Sequence, residues 1–134
     1  RDDFYVNRDG TLSHVSGVPP DHFFKKGQIW GHALYNWKAM AKNDYSWWMA
    51  RFQRMLSLFD VVRIDHFRGF AGYWEIPASS PTAKVGRWVD GPGLPLFKAI
   101  EKQLGEIAPV LAGDARDEGN FLLVWFRHSL LTKS

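Results

Sequence analysis

Apolar residues along this chain change their period several times, and each change predicts an element. From Asn43 or Asp44, either of which can cap a helix, Trp48, Phe52, Met55 and Phe59 recur at three- and four-residue steps on one stripe, with Arg51 and Arg54 turned elsewhere. This predicts an amphipathic helix running to Leu58. Val61, Val62 and Ile64 follow as a short run, apolar on both sides apart from Arg63, which is the pattern of a strand over 61–65 buried on both faces of a parallel sheet. A second helix is predicted over 94–104, where Leu96, Phe97, Ile100 and Leu104 form the apolar face and Gly105 can end it in a left-handed cap. Residues 107–112 read as a second short strand, so helix and strand alternate as in an α/β fold. Residues 1–37 are rich in Gly, Pro, Asp and Asn without a sustained period, which predicts a long loop with short strands. Residues 67–93, punctuated by Pro77, Pro81, Gly86, Gly91, Pro92 and Gly93, read as a long irregular connection. Connections of that length commonly carry function.

Length and composition narrow this picture. At 134 residues the chain can bury one core, whereas a complete (β/α)8 barrel takes about 250 residues, so a barrel reading implies a piece of a larger enzyme. Hydrophobic residues at 46% and aromatics at 16% exclude a disordered chain. They leave a well-filled core or aromatic platforms for a ring-shaped ligand such as a sugar. The net charge of +3 comes from 17 basic residues scattered among 14 acidic ones, with no run or stripe that would mark a nucleic-acid surface. The absence of cysteine excludes a disulfide framework, a thiolate metal site and a thiol nucleophile, and it permits a reducing compartment. A cytoplasmic location is expected, with plastid stroma also open. The longest apolar segment, 121–126, is far shorter than the roughly 20 residues a bilayer requires, so no membrane association is expected.

The chemistry concentrates at the end of the first predicted strand, where Arg63, Asp65 and His66 arrive together. Barrel enzymes keep their reacting groups at the C-terminal ends of strands. Arg63 and Asp65 are two apart and share a strand face, so the guanidinium is expected to hold the carboxylate ionised, as a nucleophile needs. On spacing alone a structural ion pair at a strand end is the commoner reading, since structural Arg/Asp pairs outnumber catalytic ones.

Neighbouring motifs add a family. Gly17-Val18-Pro19-Pro20-Asp21-His22-Phe23, Gly27-Gln28-Ile29-Trp30-Gly31, Arg63-Ile64-Asp65-His66-Phe67-Arg68-Gly69-Phe70 and Gly86-Arg87-Trp88-Val89-Asp90-Gly91-Pro92-Gly93 stand in one order. Over residues 1–112 the chain resembles the 4-α-glucanotransferases called amylomaltase or disproportionating enzyme, glycoside hydrolase family 77. The resemblance implies an α/β fragment of a (β/α)8 TIM barrel with long βα loops, in which 1–112 is part of the catalytic domain and 113–134 is a divergent tail. It implies retaining transfer of α-1,4-glucan segments between malto-oligosaccharides by double displacement. Such chemistry needs a carboxylate nucleophile and a protonated carboxyl about 5 to 5.5 Å away. The resemblance makes Asp65 the nucleophile, Arg63 the arginine that holds it and His66 a sugar contact. It makes Asp21, Phe23, Gln28 and Trp30 donor-side contacts on an overhanging loop. It implies no metal and no organic cofactor. Its partners are α-1,4-glucans and the missing remainder of the barrel, not nucleic acid or membrane.

Several positions depart from the family pattern. His22 stands where tyrosine is common, and His32-Ala33 replace an Asn-Pro pair. At Leu111-Ala112-Gly113-Asp114 the family reads Ala-Glu-Asp, and its glutamate is the general acid/base. Gly113 cannot donate a proton, and losing that assistance costs about 10²- to 10⁴-fold. Glu118 is a conceivable substitute, and the third acidic residue of the family site has no counterpart here. Two readings therefore stay open: a transglycosylase, or a catalytically silent fragment that retains at most glucan binding.

Overall fold

The computed structural model describes residues 2–104, 107–112 and 123–128. In chain order it contains β1 (His14–Val18), β2 (Gln28–Ala33), α1 (Trp37–Lys42), α2 (Ser46–Leu56), β3 (Val61–Ile64), a 3-10 turn (Phe67–Phe70), β4 (Gly72–Pro77), β5 (Arg87–Asp90), α3 (Leu94–Leu104), β6 (Ile107–Ala112) and β7 (Leu123–His128). Two sheets form, with strand orders β2-β1-β4-β5 and β3-β7-β6, and every neighbouring pair in them is antiparallel.

The helices follow their periodicity. In α2, Trp48, Met49 and Phe52 are buried, and they pack with Met40 of α1, Tyr45, Phe70, Leu96 and Ile100 in the main core. Asn36 caps α1 by accepting from the Ala39 N–H at 3.1 Å. The start of α2 differs from the expected cap. Asp44 and Tyr45 both adopt left-handed backbone, which turns the chain sharply between α1 and α2, and Tyr45 is the capping position. Asn43 contributes a side-chain acceptor to the Ser46 N–H at 3.3 Å. Phe59, expected on the apolar stripe, lies past the end of α2 and is 60% exposed. Helix α3 occupies the expected residues; Gly105, its expected stop, lies outside the described residues.

Two expectations are corrected. The 67–93 connection is not irregular: β4 and β5 pair from Gly72↔Asp90 to Glu75↔Arg87, and β4 also pairs with β1. Pro77 and Gly86 lie at the ends of those strands, where such residues bound a strand and do not forbid it. Strand β3 is not buried on both faces of a parallel pair. Its exposure alternates, with Val62 buried but Val61 and Arg63 exposed, and its neighbour is the antiparallel β7 from the tail. The α2 side covers one face, and β7, which has no place in the resemblance, supplies the pairing edge. Because β7 opposes both neighbours, β3 and β6 still point the same way.

A smaller core of Val15, Ile76 and Ala83, joined by Leu12 and Trp74, packs on one face of the four-stranded sheet. There β1 and β2 approach so closely that a Cβ at Gly17 would collide with the Gln28 carbonyl and with Ile76.

Candidate active site

Strand β3 ends at Ile64, and the next residues turn abruptly. His66 has left-handed backbone (φ 49°, ψ 46°), which is costly for a residue with a side chain and tends to mark functional turns. The turn places the Asp65 carboxylate at the strand end, where its Oδ1 accepts from the His66 backbone N–H at 3.0 Å. It also swings the His66 ring edge-on to Trp30 of β2, with centroids 5.1 Å apart. Gly69 makes room for that ring, since a Cβ there would lie 3.2 Å from His66 Cδ2. Burial, reinforced by the Arg68 charge and only partly opposed by Asp65, lowers the His66 pKa below its ordinary 6.5. The ring is thus neutral near pH 7, and can both donate and accept hydrogen bonds.

Asp65, His66, Arg63 and Trp30 line one cavity of about 610 Å³, within the size range of small-molecule sites, about 300–1,000 Å³. Its wall is largely apolar and aromatic, with Tyr35, Trp37 and Trp48 on the helical side. Arg51 is held there by the Tyr35 hydroxyl, which accepts at 3.2 Å, and by stacking 5.0 Å from the Trp48 ring.

The expected site residues separate into two groups. Arg63, Asp65, His66 and Trp30 come together at the cavity, while Asp21, Phe23 and Gln28 are not among its lining residues. Gln28 is nevertheless coupled to it, because its Oε1 accepts from Trp30 Nε1 at 3.1 Å and so orients the indole. Asp21 organises the tip of the β1–β2 loop, accepting from the Phe23 and Phe24 N–H groups at 2.8 and 2.6 Å, and Phe23 is 85% exposed beside it. Among the described residues, Arg63 and Asp65 form no ion pair with each other. Two residues of extended strand separate their backbones by about 6.6 Å, and both side chains face solvent instead of closing that gap. Gly113, Asp114 and Glu118 lie outside the described residues.

The cavity also contains residues that the sequence did not single out, notably Ser16, Arg51 and Tyr73. Their signal was weak, because one serine or tyrosine in a short strand carries no information about which wall it will join.

A carboxylate at a strand end beside an aromatic-walled cavity fits a glycoside-processing class of protein. The family profile described as 4-alpha-glucanotransferase, glycoside hydrolase family 77, matches residues 1–115, and the chain belongs to that family. A 4-alpha-glucanotransferase of Solanum tuberosum, designated chloroplastic/amyloplastic, is 56% identical over 104 residues, covering 78% of this chain and 18% of its own length. The Thermus thermophilus 4-alpha-glucanotransferase is 51% identical over 111 residues, covering 83% of this chain and 22% of its own. Among solved structures, the amylomaltase of Streptococcus agalactiae in complex with acarbose is similar with a TM-score of 0.76 and 41% identity, over 78% of this chain and 21% of that one. The chain thus spans about a fifth of the length of these relatives. Its fold accordingly corresponds to a portion of an amylomaltase.

Proposed function

We propose that this chain carries the nucleophile portion of a 4-α-glucanotransferase, a retaining transglycosylase that moves α-1,4-glucan segments between malto-oligosaccharides. One observation carries the reading: in a chain of this family, Asp65 directly follows strand β3 and lines an aromatic-walled cavity together with Trp30 and His66. Asp65 attacks the anomeric carbon as the glycosidic C–O bond breaks and the leaving oxygen takes a proton from solvent, and the covalent glucosyl-enzyme is then resolved by the 4-hydroxyl of an acceptor, whose proton returns to solvent. Trp30 offers a ring face for stacking, and the neutral His66 binds sugar hydroxyls. Arg63, close to the nucleophile though not paired with it, supplies positive potential. Asp21 and Phe23 belong to the same donor side, Asp21 by shaping the loop tip and Phe23 as an exposed ring. The finer architecture is a section of a (β/α)8 barrel, 1–112 its catalytic-domain part and 113–134 a tail, acting without a cofactor. Cytoplasm or plastid stroma supplies the glucan.

A second reading rests on Gly113. With glycine where the family has its acid/base, the isolated chain binds glucan without turning it over. Glucose release from maltotriose, measured alongside maltotriose binding for the native chain and Asp65→Asn, decides between them. Release abolished by the substitution establishes the transferase; binding that survives it, with no release from either protein, establishes the silent form. Absence of both rejects the glucan assignment.

A further inference from the structure

Strand β2 carries two extra residues where it pairs with β1. The register runs from Val15↔Ala33 to Gly17↔Ile29, two residues along β1 against four along β2, and Gly31, midway along the longer stretch, has left-handed backbone (φ 75°). A Cβ at Gly31 would meet nothing within 4 Å, so the glycine serves the turn of the backbone and not a close approach. Bulges re-aim side chains and are over-represented next to active sites. Ile29 and Ala33 share the sheet face of their partners Gly17 and Val15, so Trp30 and His32, beside them, fall on the opposite face, that of Ser16 and Tyr73. All four of those residues line the Asp65 cavity. Trp30 has its part there through His66. His32 has none in the chemistry above. It is exposed, and among the described residues its side chain has no hydrogen-bond, ion-pair or ring partner. It also stands where this chain departs from the family pattern. A neutral imidazole donates through one ring nitrogen and accepts through the other, which suits a sugar hydroxyl, itself both donor and acceptor.

We propose that His32 is a further substrate-binding residue, which the β2 bulge presents to the cavity and which hydrogen-bonds a hydroxyl of the bound α-1,4-glucan. This rests on the Asp65 cavity being the glucan site. The test is calorimetric binding of maltotriose to the native chain, His32→Ala and His32→Gln, with a thermal melt of each. His32→Ala should weaken binding about 3- to 10-fold, as expected for a lost ligand hydrogen bond. His32→Gln keeps a donor and an acceptor and should recover most of that loss. Both variants should melt at the native temperature, because the side chain gives up no protein partner. Native-like affinity in His32→Ala overturns the proposal while leaving the glucan site standing. Equal losses in the two variants also overturn it, since ring bulk and not hydrogen bonding would then hold the ligand. An affinity loss accompanied by a fall in melting temperature makes the histidine structural and overturns it too. Failure of the native chain to bind maltotriose removes the site and this proposal together.

Discussion

At the residue scale, His66 concentrates several effects. Its left-handed backbone turns the chain at the strand end, its ring meets Trp30, and Gly69 leaves it space. Its lowered pKa has a thermodynamic consequence. The unfolded chain protonates this histidine near its ordinary 6.5, whereas the folded chain resists until a lower pH. Between those two values the unfolded state holds more protons, so stability rises with pH across the window and falls as pH drops through it. Urea unfolding at about pH 7 and about pH 5 should show the native chain losing stability on acidification, and His66→Gln should lose less. An identical loss in both would place the titration elsewhere.

At the element scale, the four-stranded sheet contributes Ser16, Trp30 and Tyr73 to the cavity lining, and a side-chain pair bridges β4 and β5. Glu75, 9% exposed in its side chain, sits opposite Arg87 and receives both Nε and Nη2 on Oε1 at 2.8 and 2.7 Å. Arg87 is 74% exposed, so water weakens the attraction itself, but removing it strands a buried carboxylate. Arg87→Ala should therefore cost about 1–3 kcal/mol in urea unfolding, and Glu75→Gln less, since a neutral amide tolerates burial without a cation. Equal losses would mean that the pair acts only through packing. This sheet was poorly legible beforehand. Tyr73, Trp74, Glu75 and Ile76 do alternate, but the prolines and glycines around them mask a pattern only four residues long. Helix α2, by contrast, was legible because its buried Trp48 and Phe52 repeat over an eleven-residue helix.

At the scale of the whole molecule, the placement of β7 matters most. Retaining transfer needs its two carboxyls about 5 to 5.5 Å apart. Neighbouring strands sit about 4.8 Å apart, so β3 and β6, with β7 between them, lie roughly two strand spacings apart. Val124→Pro should break the β7 ladder, with Val124 registered to both Ile64 and Leu111. Amide exchange should then speed up in Val61–Ile64 while the buried α2 amides stay protected, and light scattering should show larger species as unpaired strand edges associate. Unchanged protection in β3 would refute this strand order.

The sequence by itself determined the two longer helices, the strands at β3 and β6, the family and the meeting of Arg63, Asp65 and His66 at one strand end. These are local facts: side-chain period and adjacency along the chain are enough to express them. Tertiary structure alone decided that Trp30 meets His66, that Ser16 and Tyr73 line the same cavity as Trp48, that Arg63 does not pair with Asp65, and that β7 lies between β3 and β6. Each of these depends on strand register or on packing between residues far apart in sequence, and a one-residue slip in register would exchange every inward side chain for an outward one.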